Sequence, residues 1–135
     1  MPVIVEHLAQ PSAQDRQDLA RLYAEAPAWL LAPFADGEAL VDAALAAGTL
    51  LTGRFNDRLL GAAWLQRDAD AWRLSRLCVR RVTRGRGVAR RLLEEAQRQA
   101  VLAGCPLRLL APAGQAEAAE LATRLGLALE TAEAP

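Results

Sequence analysis

Apolar residues recur along the chain with two periods, and the changes of period fall on Pro, Gly and Asn-Asp positions. Val3-Ile4-Val5 followed by His7-Leu8 predicts a short opening strand. Ser12 then stands as a helix N-cap with Asp15 in the first turn, and Leu19, Leu22 and Tyr23 supply the apolar face until Pro27 ends the helix. Trp29, Leu30, Leu31 and Phe34 form an apolar link that reads as a core plug. A second helix runs from Asp36 as cap through Leu40, Val41, Ala44 and Leu45 to Gly48 as its stop. The runs Thr49 to Phe55 and Arg58 to Leu65 flank Asn56-Asp57, a pair that tolerates left-handed backbone, and so predict a β-hairpin.

After a turn at Asp68-Ala69-Asp70, the strand Trp72 to Val79 changes phase. Trp72 and Leu74 are apolar in one register, Leu77 and Val79 in the other, which places a bulge near Ser75-Arg76. A helix from about Arg86 to Gly104 follows, with Val88, Leu92, Leu93, Ala96 and Ala100 on one face. Pro106 to Ala111 predicts a strand, with Pro112 and Gly114 as breakers. Gln115 to Leu125 predicts a helix capped by Gly126, Leu127-Ala128-Leu129 a last short strand, and a polar, Pro-ended tail closes the chain. The order is β-α-α-β-β-β-α-β-α-β, an α/β protein with no repeat or linker, so one domain spanning 1–135 is expected.

Between the bulged strand and the following helix lies Thr83-Arg84-Gly85-Arg86-Gly87-Val88-Ala89-Arg90. Two glycines one residue apart let several backbone N–H groups converge, and the new helix adds its free N–H groups and positive dipole end. Such a loop is suited to an anion, and a diphosphate fits its size.

The net charge is zero, yet all 16 basic residues are Arg, and nine of them lie between Arg73 and Arg98 against only Glu94 and Glu95. This local patch suits a polyanionic ligand at one edge. It suits nucleic acid poorly, because the few aromatics are not interleaved with the arginines. Cys78 and Cys105 have no metal-ligand spacing with each other or with the lone His7, so no metal is expected and both read as buried free thiols. No apolar run reaches the length of a membrane span and the N-terminus lacks a signal-peptide pattern, so a cytoplasmic protein is expected.

Arg84-Gly85-Arg86-Gly87-Val88-Ala89 matches the [Q/R]-x-x-G-x-[G/A] signature of the GCN5-related N-acetyltransferase (GNAT) superfamily, with Val79 and Leu92 at its usual flanking positions. The resemblance implies the GNAT fold, a mixed, mostly antiparallel central sheet of about six strands with helices on both faces and a seventh strand missing or very short. It also implies acetyl-CoA or CoA as cofactor. Its pantetheine would lie along Leu77, Cys78 and Val79, and its phosphates at Thr83, Arg84, Gly85, Arg86, Gly87, Val88, Ala89 and Arg90. Ser12 to Leu19, Arg54 to Leu60 and Val79 to Glu95 together resemble the family of acetyl-CoA-sensing maturation factors of aspartate 1-decarboxylase, PanZ (also PanM). That likeness implies the decarboxylase proenzyme as partner, with Arg54, Asn56 and Arg58 facing it.

The sequence departs from that family in a longer stretch before the hairpin and in the absence of a last hairpin. An N-acetyltransferase acting on an unidentified amine is the alternative. Members that catalyse commonly carry a tyrosine acid at the position of Ala122, and the strand Trp72 to Val79 has no carboxylate to act as base, so no catalytic residue is assigned.

Overall fold

The computed structural model describes residues 2–132. Its elements are β1 (Ile4–His7), α1 (Ala13–Ala24), α2 (Ala28–Leu31), α3 (Gly37–Ala47), β2 (Leu50–Phe55), β3 (Arg58–Arg67), β4 (Trp72–Val79), a 3-10 turn (Arg81–Thr83), α4 (Val88–Leu102), β5 (Leu107–Pro112), α5 (Ala116–Leu125) and β6 (Ala128–Ala132). The six strands lie in chain order in one sheet. β1 through β4 pair antiparallel, and β4–β5 and β5–β6 pair parallel. This is the expected α/β architecture, and no seventh strand occurs among the described residues. The Pro-ended tail lies outside them.

Local chemistry sets the boundaries. The Ser12 hydroxyl accepts from Asp15 N while the Asp15 carboxylate accepts from Ser12 N, a reciprocal cap on α1. Asp36 caps α3, and Gly48 closes it in the left-handed region at φ +69°. The apolar link after Pro27 contains the short helix α2, which places Leu30 in the core. α4 begins at Val88, two residues later than expected, because Gly85 and Gly87 hold φ +79° and +86°. β6 runs three residues past the predicted end at Leu129.

The sheet separates two apolar cores. On one face Leu19, Leu22 and Tyr23 of α1 meet Leu40, Val41 and Ala44 of α3 over Leu59 and Ala62. On the other, Val88, Leu92, Leu93 and Ala96 of α4 cover Leu51, Ala63, Leu65 and Leu74. α4 presses closely on the sheet at Gly61, where an added Cβ would stand 2.8 Å from Val88 Cγ1. That contact fixes where α4 starts, and with it the end of the glycine loop.

Candidate functional site

The loop between β4 and α4 is anchored at its entry and open at its exit. Glu25, at the C-cap of α1, accepts from Arg81 N at 3.0 Å and from Arg80 Nε at 3.2 Å, and the Arg81 N–H bond leads the effects that hold its carboxyl below the ordinary range. Thr83 is buried and donates to Arg80 O from its hydroxyl at 2.8 Å and from its N–H at 2.9 Å. Arg84, Gly85, Arg86 and Gly87 are exposed. A Cβ built on Gly85 or Gly87 would meet nothing within 4 Å, so both glycines border open space.

α4 has no side-chain N-cap and no acidic residue in its first turn, unlike the capped α1 and α3. The N–H groups of Val88, Ala89 and Arg90 therefore have no acceptor among the described residues. Val88 itself is buried under the sheet. The side chains of Arg84, Arg86 and Arg90 are exposed and form no ion pair with any described residue. Unpaired amides, a helix dipole and free guanidinium groups together make an anion cradle.

The strand leading into the loop is bulged as the phase change predicted. Ala62 pairs with Cys78 but Trp64 with Ser75, so β4 carries the extra residue, and Arg76 takes φ +53°. The bulge returns Leu77 and Val79 to the face that Trp72 and Leu74 occupy, over α4. Cys78 points to the opposite face, its thiol 3.4 Å from Leu22 O and pushed up to about 11 by burial. Cys105 is only half-buried, a correction to the expectation that both thiols are buried. β4 and β5 pair only from Trp72–Leu107 to Leu74–Leu109. Beyond Leu74 they part, leaving the β5-facing edge of Leu77, Cys78 and Val79 without β5 as a partner.

At the hairpin, Asn56 and Asp57 hold φ +47° and +65°, the left-handed pair that closes a tight turn. Asn56 is exposed at the tip. Arg54 donates to Glu6 Oε1 at 2.8 Å and to Asp15 Oδ1 at 2.9 Å. Arg58 makes a forked contact with Asp18, reaching Oδ1 at 2.6 Å from Nη2. Asp15 and Asp18 are buried partners that the sequence reading did not find, since their polarity argues for solvent, although spacing with Leu19, Leu22 and Tyr23 puts both on the apolar stripe of α1. The hairpin is thus strapped to α1, and of the three expected partner-facing residues Asn56 is the one with no internal tie among the described residues.

A cavity of about 440 Å³ opens between α2 and the parting β4 and β5 strands, bordered by Trp29, Trp64, Ser75, Arg76 and Leu110. Ala122 is buried in α5, and the Tyr23 hydroxyl donates to Arg76 O at 2.9 Å inside the core. Among the described residues no group of three His, Cys, Asp or Glu is placed to hold a metal ion, and no helix is long and apolar enough to cross a membrane.

The family model described as acetyltransferase (GNAT) domain, PanZ, matches residues 2–125. No curated protein sequence matches the chain. Among solved structures, ribosomal-protein-S18-alanine N-acetyltransferase from Escherichia coli aligns with TM-score 0.69 at 20% identity over 93% of this chain and 77% of that one. A putative GNAT-family acetyltransferase from Xanthomonas campestris aligns with TM-score 0.68 at 24% identity, over 94% and 85%. The PaiA N-acetyltransferase from Thermoplasma acidophilum, in complex with coenzyme A, aligns with TM-score 0.63 at 17% identity, over 92% and 88%. At these identities the likeness establishes the fold, the GNAT architecture expected from the signature.

Proposed function

Because the chain belongs to the PanZ family of GNAT acetyltransferase domains, we propose that it binds acetyl-CoA, or CoA, and uses that binding to regulate maturation and activity of aspartate 1-decarboxylase in pantothenate synthesis. The observation that carries the cofactor reading is the uncapped start of α4 behind two glycines that border open space. The N–H groups of Gly87 to Arg90 would take the diphosphate, with Arg84 and Arg86 adding charge at its edge. The unpaired edge of Leu77, Cys78 and Val79 would hold the pantetheine arm by backbone hydrogen bonds. The cofactor supplies an acyl thioester and a large anionic handle; in a sensor the handle matters more than the thioester.

The partner reading is supported by the family and by the rigid hairpin, whose tip residue Asn56 is free to bond another chain at little entropic cost. A ligand that prefers the partner-bound form must strengthen partner binding by the same factor, which makes the cradle a sensor. The cavity beside β4 favours a second reading, acetyl transfer to an amine. Against it stand Ala122 at the position of the usual acid, the occupied Tyr23 hydroxyl, and the lack of any carboxylate among the described residues of the cavity lining to take an ammonium proton.

The test is whether tagged protein retains the pro-decarboxylase from a lysate of its own cells only when acetyl-CoA is present. Asn56→Ala should weaken that retention and leave acetyl-CoA affinity nearly unchanged. Retention that ignores both acetyl-CoA and the Asn56 change would remove the sensor reading and move acetyl transfer ahead.

A further inference from the structure

The glycine loop has few ties to the rest of the fold. The last sheet bond before it is Arg80 N to Leu60 O at 2.9 Å, and beyond it Gly85 and Gly87 carry no β-carbon to restrain them. The bonds from Thr83 N to Arg80 O, Arg84 N to Arg81 O and Arg86 N to Thr83 O lie within the loop, so they shape it without placing it. Its exit is fixed by Val88, which is buried against Gly61. At its entry a single side chain from elsewhere in the chain hydrogen-bonds to it among the described residues. That side chain is Glu25, whose Oε1 accepts from both Arg81 N and Arg80 Nε.

A carboxylate is electrostatically the wrong choice at this place, and for two reasons. Glu25 is the C-cap of α1, where the helix dipole presents its negative end. It also stands beside a loop whose unpaired amides and free guanidinium groups suit an anion, which a nearby negative charge repels. The ion pair with Arg80 offsets part of both costs. It does not account for the second bond.

That second bond holds backbone. Arg81 N–H is the first amide of the 3-10 turn, and Arg80, the cap residue, gives the turn no side-chain bond. Glu25 supplies the acceptor at 3.0 Å and so fixes where the turn begins, two residues past the end of β4. The turn in its own carbonyls takes Arg84 N–H and Arg86 N–H, and the N–H groups of Gly85 and Gly87 are left without an acceptor among the described residues.

We propose that Glu25 is the positioning residue of the anion cradle: by accepting from Arg81 N–H it locks the entry of the glycine loop to α1, so that the unpaired amides are in place before a diphosphate arrives. Its effect on affinity rests on the reading of this loop as the acetyl-CoA site. Its hold on the loop does not.

The charge of Glu25 opposes the ligand and its reach favours it, so variants that separate charge from reach test the proposal. Acetyl-CoA is titrated calorimetrically into wild type, Glu25→Gln, Glu25→Asp and Glu25→Ala, and amide nitrogen relaxation of the ligand-free proteins gives the order parameters of Gly85 and Gly87. Glu25→Gln loses the charge and keeps an oxygen at the same reach, so it should bind at least as tightly as wild type. Glu25→Asp keeps the charge but is one methylene too short, and Glu25→Ala has neither. Both should bind about three- to tenfold more weakly, the worth of one hydrogen bond. The order parameters should drop in these two variants and be retained in Glu25→Gln. A charge effect alone gives the opposite order, with Glu25→Gln and Glu25→Ala both tighter than wild type and Glu25→Asp unchanged, and that order would overturn the proposal. So would order parameters that keep their wild-type values in Glu25→Ala. Should Glu25→Ala fail to melt cooperatively, Glu25→Asp carries the same comparison. Failure of acetyl-CoA to bind the wild-type chain would instead defeat the cofactor reading, and the order parameters would then decide the Glu25 anchor by themselves.

Discussion

Replacing Asp18 by Ala cuts the strap between α1 and the hairpin, and the structure sets the size of the effect. Asp18 is 2% exposed. It accepts from Leu59 N at 3.1 Å, from Gln14 Nε2 at 2.9 Å and from the forked Arg58 guanidinium. Burial pushes its carboxyl up, but the bonds from Arg58, Leu59 N–H and Gln14 outweigh that and hold it below its ordinary value. In Asp18→Ala the Arg58 head turns to water at little cost, whereas the Leu59 N–H stays in the core without an acceptor. Such an orphaned amide costs about 1–3 kcal/mol. At roughly 3 °C per kcal/mol for a domain of this length, the midpoint of thermal unfolding should fall by roughly 3–9 °C at neutral pH.

Circular dichroism melts across pH supply the second half of the test. A carboxyl whose folded pKa is depressed contributes stability that is present above its unfolded pKa and lost as pH falls through the folded pKa. The gap between wild type and Asp18→Ala should therefore be full at neutral pH and shrink through the acid range. Melts that coincide at neutral pH, or a gap that stays constant on acidification, would refute the assignment of Asp18 as the hairpin's anchor.

Gly61→Ala should destabilise by about 1–3 kcal/mol through overpacking, because its Cβ would stand 2.8 Å from Val88 Cγ1 and 3.1 Å from Leu92 Cδ1. A melt equal to wild type would mean that α4 does not set its position on the sheet in this way. The Cys78 thiol, pushed up to about 11 by burial, should react with a disulfide reagent at pH 8 far more slowly than half-buried Cys105. Two thiols labelled at one rate would contradict the buried placement of Cys78.

Much of this fold is written in short-range pattern. The five apolar positions Val88, Leu92, Leu93, Ala96 and Ala100 are the buried residues of α4, because a helix on a sheet buries one stripe and nothing else. Asn56-Asp57 announced the hairpin, and the phase change after Leu74 announced the bulge, since each has one common backbone solution. α2 was missed because four residues are too few to display a period. The start of α4 was placed early because the Arg-rich loop reads as helix until the left-handed φ of Gly87 is known.

The left-handed turns of the glycine loop and the helix that follows it were legible for the same local reason, being contiguous in sequence. What supports the loop was not. Glu25 reaches the loop across 56 residues, Asp15 and Asp18 meet Arg54 and Arg58 across 39 and 40, and Arg76 meets Leu30 across 46. Polarity marks each of these side chains as a surface residue. Their pairing is a product of tertiary geometry, and the one sign of it in the sequence is that Asp15 and Asp18 share the apolar stripe of α1 with Leu19 and Leu22.

The central claim is that backbone N–H groups at the start of α4 hold the diphosphate of acetyl-CoA, and calorimetric titration of acetyl-CoA into wild type and Gly87→Glu tests it most directly. Gly87 faces open space at φ +86°, so glutamate there puts both a side chain and a negative charge into the cradle. The account predicts saturable binding to wild type, only a modest loss in Arg84→Ala, whose guanidinium is exposed, and no measurable binding to a Gly87→Glu protein that still melts cooperatively. Equal affinity of wild type and folded Gly87→Glu would contradict it.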